Sequence, residues 1–382
     1  MKAGEFLEKR REQGLLRTLK PVESPVNGRI IVEGREYVDF SSNDYLGLSG
    51  HPAIKAAALA AMEKYGTSSS ASRLLTGDLR IHHELEERVA IFKGKEAALL
   101  FNSGYQANVG IAAALYGKDD AIFMDRLCHA SLIDGAALSG AKVFRFRHND
   151  AQHLAALLEV NRLKFSEALV VTESVFSMDG DVAPLPELVE VKQRFNCQML
   201  VDEAHATGIF GPGGAGLVEA GGLTPQVEII MGTFGKALGG FGAYVAASHE
   251  IIATLVNACR SFIYTTALPP MVVAGNIAAI ELVCADPGRG AQLLGLSGEF
   301  RKLLEQGGLP VRGSSQIVPV VLGDAARTVR ASEMLKDAGF WVAPIRPPTV
   351  PEGESRLRFS LTSRMDQGQI VQVARAAVNA GK

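Results

Sequence analysis

Lys236 lies in the run Met231-Gly-Thr-Phe-Gly-Lys-Ala-Leu-Gly-Gly240, directly after the apolar stretch Val227–Ile230 and with a further glycine at 242. A lysine there is expected on a tight turn leaving a buried strand, with nothing bulky crowding its amine. Desolvation lowers an ammonium pKa and makes the amine a nucleophile, the chemistry of a Schiff base. Other polar groups also stand where apolar runs end. Asp202 follows Gln198–Val201 in Val201-Asp-Glu-Ala-His205, Ser177 and Asp179 follow Ala168–Thr172, and His129 follows Ala121–Met124. The segment Asn102-Ser-Gly-Tyr-Gln-Ala-Asn108 follows Ala97–Phe101 and opens a helix. In an open parallel sheet, ligands bind beyond the carboxyl ends of the strands. A turn that opens a helix there offers free N–H groups and a favourable dipole to an anion, most often a phosphate. Each feature alone is common, but their joint placement on one edge is not. One buried carboxylate, one reactive lysine and one phosphate cup point to pyridoxal 5′-phosphate. The aspartate keeps the pyridine nitrogen protonated so that the ring can accept electrons, and the lysine holds the aldehyde.

The elements that must position these groups read as an alternation of short apolar strands and helices rich in small residues between about residues 50 and 285. Besides the strands already named, Lys142–Phe146 and Gly242–Ala246 complete a set of seven. Helices are expected over Pro52–Lys64, His82–Phe92, Gln106–Tyr116, Ala151–Asn161 and Leu185–Phe195. The alternation predicts an α/β fold with a mostly parallel seven-stranded sheet and helices on both faces. Residues 1–45 read as an N-terminal segment: a surface helix packed through its leucines over the first 20 residues, then a strand pair, Arg29–Val32 and Glu36–Phe40. Residues 46–286 read as the large domain and 287–382 as a small α+β domain. The latter holds strands near Val318–Leu322 and Arg356–Leu361 and helices near Ala291–Gln306, Arg327–Ala338 and Gln367–Asn379.

Composition narrows the class. The 382 residues are 47% hydrophobic and 21% charged, with a net charge of −2 and no dominant basic block, so nucleic acid is not the expected ligand. Four cysteines without C-x-x-C or zinc-like spacing favour a reduced, cytoplasmic enzyme with no metal. The charged first ten residues do not read as a signal peptide, and no apolar run is long enough to span a bilayer. The pair His82-His83 with Glu84 reads as surface rather than as a metal site, because adjacent helical positions diverge.

Nearly the whole chain resembles the α-oxoamine synthase family of fold-type I (aspartate aminotransferase-like) pyridoxal-phosphate enzymes. The residues that carry the resemblance are Phe40-Ser-Ser-Asn-Asp-Tyr-Leu-Gly-Leu48, Glu173-Ser-Val-Phe-Ser-Met-Asp-Gly-Asp181, Asp202-Glu-Ala-His-Ala-Thr-Gly208 and Thr233-Phe-Gly-Lys236. Leu15-Leu16-Arg17, Ile345-Arg-Pro-Pro-Thr-Val-Pro351 and Arg356-Leu-Arg-Phe-Ser-Leu-Thr362 further resemble the members that condense L-alanine with a pimeloyl thioester, losing CO2. The resemblance implies that Lys236 binds the cofactor aldehyde and later moves the proton. It implies that Asp202 pairs with the pyridinium nitrogen, that His205 bonds the phenolic oxygen, and that His129 stacks on the ring and borders the substrate. Gly104, Tyr105, Ser177 and Thr233 would also contact the cofactor. Thr265 and Thr266 would reach the phosphate of a neighbouring subunit, so a homodimer with shared sites is implied. Arg358, with Asn43, would grip the amino-acid carboxylate, and Arg17 and Thr349 would meet the acyl chain. Arg356 and Arg358 point to the same face of one strand, so periodicity alone does not choose between them; the family pattern selects Arg358.

The chain departs from the family pattern at two places. Thr67-Ser-Ser-Ser-Ala-Ser-Arg73 stands where relatives are glycine-rich, and Gly214-Ala-Gly216 stands where they tend to have Gly-Arg-Gly. The first could narrow the acyl entrance or repack a subunit interface; the second removes one arginine's structural role. A glycine C-acetyltransferase within the same family and a non-catalytic partner subunit are the competing readings, and the latter is expected to lack the lysine. An oxidoreductase is disfavoured, since the glycine run after Lys236 lacks G-x-G-x-x-G spacing.

Overall fold

The N-terminal helix, α1 (Ala3–Glu12), buries none of its side chains within the chain. The computed structural model describes residues 2–13, 15–26 and 28–381. A packed helix over the first 20 residues was the expectation, but α1 stops at Glu12 and Phe6 and Leu7 stay exposed. The reason is the short stripe: Ala3, Phe6 and Leu7 are the only apolar side chains on this ten-residue helix and cover its first half alone. The strands β1 (Ser24–Val26), β2 (Arg29–Val32) and β3 (Arg35–Asp39) come next as an antiparallel meander. Glu33 and Gly34, at φ 53° and 72°, form the two-residue turn between β2 and β3, the left-handed pair that matches strand twist.

Leu48–Ser177 and Val182–Ala291 form one compact unit. Its sheet contains β4 (Ala97–Phe101), β5 (Ala121–Asp125), β6 (Lys142–Phe146), β7 (Ala168–Glu173), β8 (Gln198–Asp202), β9 (Ile229–Thr233) and β10 (Ala243–Ala247), in the order β4-β10-β9-β8-β7-β5-β6. The pairs among β6, β5, β7, β8 and β9 are parallel, and β10 is antiparallel to both of its neighbours. Every residue of β5, β7 and β10 is buried, as strands covered on both faces must be. Alternation divides the sheet between two apolar layers. Ile122, Met124, Leu169 and Val171 pack with Ile111, Leu132 and Leu255, whereas Ala121, Phe123, Val170 and Met199 pack with Leu154, Leu158 and Leu188. Each fully buried large side chain contributes roughly 1.5–3 kcal/mol relative to exposure.

The helices of this unit include α2 (Pro52–Tyr65), α3 (Arg80–Lys93), α4 (Gly104–Leu115), α5 (Ala130–Ser139), α6 (Ala151–Asn161) and α7 (Leu185–Arg194). Among them α5 escapes the sequence pattern, because Ala, Ser and Gly give it no amphipathic stripe. It packs tightly on α4: a Cβ at Gly135 would come within 2.4 Å of the Asn108 carbonyl oxygen. β9 begins two residues later than the apolar run predicts. Val227 ends a short 3-10 turn, Thr224–Gln226, and its carbonyl is held by the Lys95 ammonium.

Met1–Gly47, Met178–Asp181 and Gln292–Lys382 form a second unit. The strands β11 (Ile317–Gly323), β12 (Phe340–Trp341), β13 (Ala343–Ile345) and β14 (Ser355–Ser360) belong to it. β12 joins the N-terminal meander in parallel with β3, and the other three form an antiparallel sheet in the order β11-β14-β13. Its core is aromatic, with Phe40 in ring contact with Phe300, Phe340 and Phe359. Among the described residues, no single helix is long and apolar enough to cross a membrane.

Candidate active site

The carboxyl ends of the parallel strands in the larger unit converge on a cavity of about 220 Å3. Asp202, the last residue of β8, lines it and is 5% exposed. Its Oδ1 accepts the Ala204 N–H at 2.8 Å and its Oδ2 accepts the Asn108 side-chain amide at 2.9 Å. Lys236 lines the same cavity from the loop after β9, with Nζ 2.9 Å from His205 Nε2. Gly239, at φ 62°, lets that loop turn against the backbone; a Cβ there would meet Ser49 N at 2.3 Å. Thr233 braces the turn, donating its hydroxyl to Gly242 O at 2.8 Å and accepting the Gly235 N–H at 3.1 Å.

His129 caps α5. The packing around its ring holds the imidazole pKa below its usual value, against an upward pull from Asp202. Gly104 and Tyr105 line the cavity from the first turn of α4, where Ser103 Oγ accepts the Gln106 N–H. N–H groups of a first turn have no intrahelical acceptor, so they face an anion with the helix dipole behind them. The Tyr105 hydroxyl is bonded to the Asp134 carboxylate. Ser177, Thr265 and Thr266 do not line this cavity. Asn102, one residue before the α4 cap, binds both threonines, donating to Thr265 Oγ1 at 3.2 Å and to Thr266 O at 2.8 Å.

Five cavity residues had no role in the sequence reading: Asn108, Ser131, Glu173, Ala204 and Met231. An asparagine on the buried face of α4, beside Ala107 and Ile111, was the available signal for the first, since a buried amide needs partners. Glu173 is the register partner of Asp202 across β7 and β8, and its Oε1 accepts the His129 N–H at 2.5 Å. Burial, reinforced by the Asp202 carboxylate, pushes the Glu173 carboxyl well above its ordinary 4.5, although Lys236 pulls it down. Above pH 4.5 the unfolded chain releases this proton while the folded chain keeps it, so stability falls as pH rises toward the folded value. Glu173→Gln should therefore remove that downward slope, leaving stability near pH 4 unchanged and raising it at neutral pH, as read by urea unfolding of the cofactor-free protein.

In the second unit β14 carries both arginines. Arg356, 2% exposed, binds Asp179 at 2.6 Å, Glu354 at 3.2 Å and Met178 O at 3.2 Å. Asp179 is thus an ion-pair partner in this unit rather than a cavity residue. Arg358, 7% exposed, donates to Ser360 Oγ at 2.7 Å. It also faces Tyr45, whose hydroxyl donates to Asn43 Oδ1 at 3.0 Å. A cavity of about 140 Å3 in this unit is lined by Arg17, Ile345, Arg346 and Thr349 among others, and Arg17 donates to Thr349 Oγ1 at 2.9 Å.

His82 corrects the surface reading of the histidine pair. It is fully buried, with Nε2 2.9 Å from Leu268 O, while His83 is exposed beside Asp78. The serine-rich segment leans on the same stretch, Ser69 donating to Leu268 O at 2.7 Å and Ser72 bridging Thr266.

The donor set fits pyridoxal phosphate: a fixed carboxylate for a ring nitrogen, an amine beside an imidazole, and a helix start for a phosphate. Residues 35–376 match the family model described as aminotransferase class I and II. The chain belongs to that family. The 8-amino-7-oxononanoate synthase of Geotalea daltonii is 49% identical over 99% of this chain and 97% of its own length. A serine palmitoyltransferase from S. paucimobilis, solved with a bound PLP-myriocin aldimine, superposes with a TM-score of 0.93 at 32% identity, over 99% of this chain and 96% of that one. The structure of 8-amino-7-oxononanoate synthase from Francisella tularensis has a TM-score of 0.78 at 30% identity, over 90% of this chain and 97% of that one. The fold is accordingly that of the fold-type I pyridoxal-phosphate enzymes, with β10 as the antiparallel exception in the family's mostly parallel sheet.

Proposed function

We propose that this chain is an 8-amino-7-oxononanoate synthase of biotin synthesis. It joins L-alanine to a pimeloyl thioester, carried by CoA or a carrier protein, and releases CO2 and the thiol. The observation that carries the reading is a single cavity holding Lys236, His205 and Asp202, in a chain that matches a named synthase over 99% of its length. Pyridoxal phosphate, when bound there, supplies an aldehyde for the amino-acid nitrogen and a ring that takes up the electrons of a broken Cα bond.

The chain's own residues do the rest. Lys236 would hold the aldehyde, and its amine is the base that would remove the alanine α-proton and return one. Asp202, oriented by two N–H donors, keeps the ring nitrogen protonated. His205, within hydrogen-bond distance of Lys236, meets the phenolic oxygen. His129, which lines the cavity, would stack on the ring and border the substrate. The first turn of α4 holds the phosphate, with Ser177 and Thr233 as further contacts and Thr265 and Thr266 contributed by a second subunit of a cytoplasmic homodimer. Arg358 grips the alanine carboxylate, supported by Asn43 through Tyr45; a guanidinium fork suits that planar anion. Arg17 and Thr349 meet the acyl chain.

The test is a panel of acyl thioesters from acetyl to octanoyl and pimeloyl, each offered with alanine and with glycine. Alanine with the pimeloyl thioester should give the highest kcat/KM and a product with the mass of 8-amino-7-oxononanoate. A preference for glycine with acetyl-CoA would replace this reading with a glycine C-acetyltransferase.

A further inference from the structure

Asn108 is one of three buried polar residues of the cavity, with Ser131 and Glu173, to which the proposed chemistry gives no task. It is 2% exposed on α4, and its amide nitrogen donates to two acceptors, Asp202 Oδ2 at 2.9 Å and Ser131 Oγ at 3.0 Å. The orientation of the amide is forced. A carboxylate cannot donate, so the nitrogen must face Asp202, and Oδ1 is left without a hydrogen-bond partner. A hydroxyl that accepts from Asn108 has its own proton to give, and His129 Nδ1 lies 2.7 Å away. The Ser131 backbone N–H also points at that nitrogen, at 3.3 Å, and a backbone N–H can only donate. Nδ1 therefore accepts, and the proton of the neutral imidazole sits on Nε2. The hydrogen bonds run outward from one amide: through Ser131 to His129, and directly to Asp202.

We propose that Asn108 is a positioning residue whose amide directs the Ser131 hydroxyl onto His129 Nδ1, where it joins the Ser131 backbone N–H in holding the Nε2–H tautomer, and fixes Asp202 as an oriented acceptor. The consequence for catalysis rests on the proposed function, because it is there that these two groups meet the cofactor ring; the hydrogen-bond polarity itself does not.

Asn108→Asp is the incisive variant, since it keeps size and shape while removing the donor. An aspartate at 108 can only accept when ionised, so the Ser131 hydroxyl turns toward it and His129 Nδ1 loses its nearest donor. A second carboxylate also then faces Asp202. Nitrogen-15 NMR of histidine-labelled protein without cofactor should show wild-type His129 as the Nε2–H tautomer. In Asn108→Asp the His129 pKa should rise by about one unit, as a nearby anion favours imidazolium. The other charged groups facing His129, namely Asp134, Glu173 and Lys236, are unchanged in the variant. With cofactor, the dissociation constant of pyridoxal phosphate should rise about tenfold, roughly the loss of one charge-assisted hydrogen bond. Ser131→Ala cuts only the branch to His129, so it decides the question if Asn108→Asp does not fold. It should alter the His129 signals and leave the Asn108–Asp202 bond in place. A wild-type His129 protonated on Nδ1, or His129 titration unchanged in both variants, would overturn the proposal. A chain with the predicted His129 signals but no synthase activity would instead count against the proposed function.

Discussion

Lys236→Ala should reduce turnover by at least about 10^4-fold, because one side chain is asked to do two jobs. In the proposed function its amine holds the cofactor aldehyde, and the same amine is the base that moves the α-proton. No neighbour in the cavity can take over both. His205, 2.9 Å from Nζ, is the nearest basic group, but an imidazole cannot form the same stable link to an aldehyde. The variant should still fold, since Lys236 stands at the cavity wall and its loop is shaped by glycines and by Thr233. The measurements are single-turnover rates and borohydride reduction followed by peptide mapping. Reduction should attach the cofactor to residue 236 in the wild type and nowhere in the variant. A variant with wild-type turnover would remove Lys236 from the chemistry altogether.

The reactive groups were legible in the sequence where short-range rules act. Strands covered on both faces read as apolar runs, and the residues just past the end of such a run lie at a sheet edge. Lys236, Asp202 and His129 could therefore be placed on one edge from their spacing alone. Contacts set by distant chain segments were not legible. His82 is buried because Leu268, 186 residues away, supplies the carbonyl that satisfies its ring. Arg356 and Arg358 are equivalent by periodicity, which does not show that Asp179, 177 residues away, pairs with Arg356. Glu173 was in view as the first residue of a family motif, but its partnership with Asp202 depends on the register of two strands. α5 was missed because its helix is held by close packing on α4 rather than by an apolar stripe.

The second large effect lies beside Gly214-Ala-Gly216. Lys93 on α3 brings an ammonium to this stretch: Nζ binds Glu203 Oε2 at 2.8 Å, Thr207 Oγ1 at 3.0 Å and the Ala215 carbonyl. Both charged side chains are 1% exposed. Burial pulls the Lys93 pKa down, but the Glu203 carboxylate and the Tyr244 hydroxyl more than offset it and hold the ammonium above its usual 10.5. The contribution of the Lys93 proton is therefore fully present below pH 10.5 and is lost as pH rises through the higher folded value. Glu203 uses its second oxygen on the Val218 N–H at 2.9 Å, and its backbone opens the turn that carries His205. Lys93→Met fills the space but leaves a carboxylate buried without its cation, which costs about 3–5 kcal/mol. The urea midpoint at neutral pH should fall accordingly. Adding Glu203→Gln should recover most of the loss, because an amide oxygen still accepts the Val218 N–H and no charge remains to be paired. If Lys93→Met alone unfolds at the wild-type midpoint, Glu203 is not held by Lys93, and the turn between Asp202 and His205 must be fixed by its backbone bonds alone.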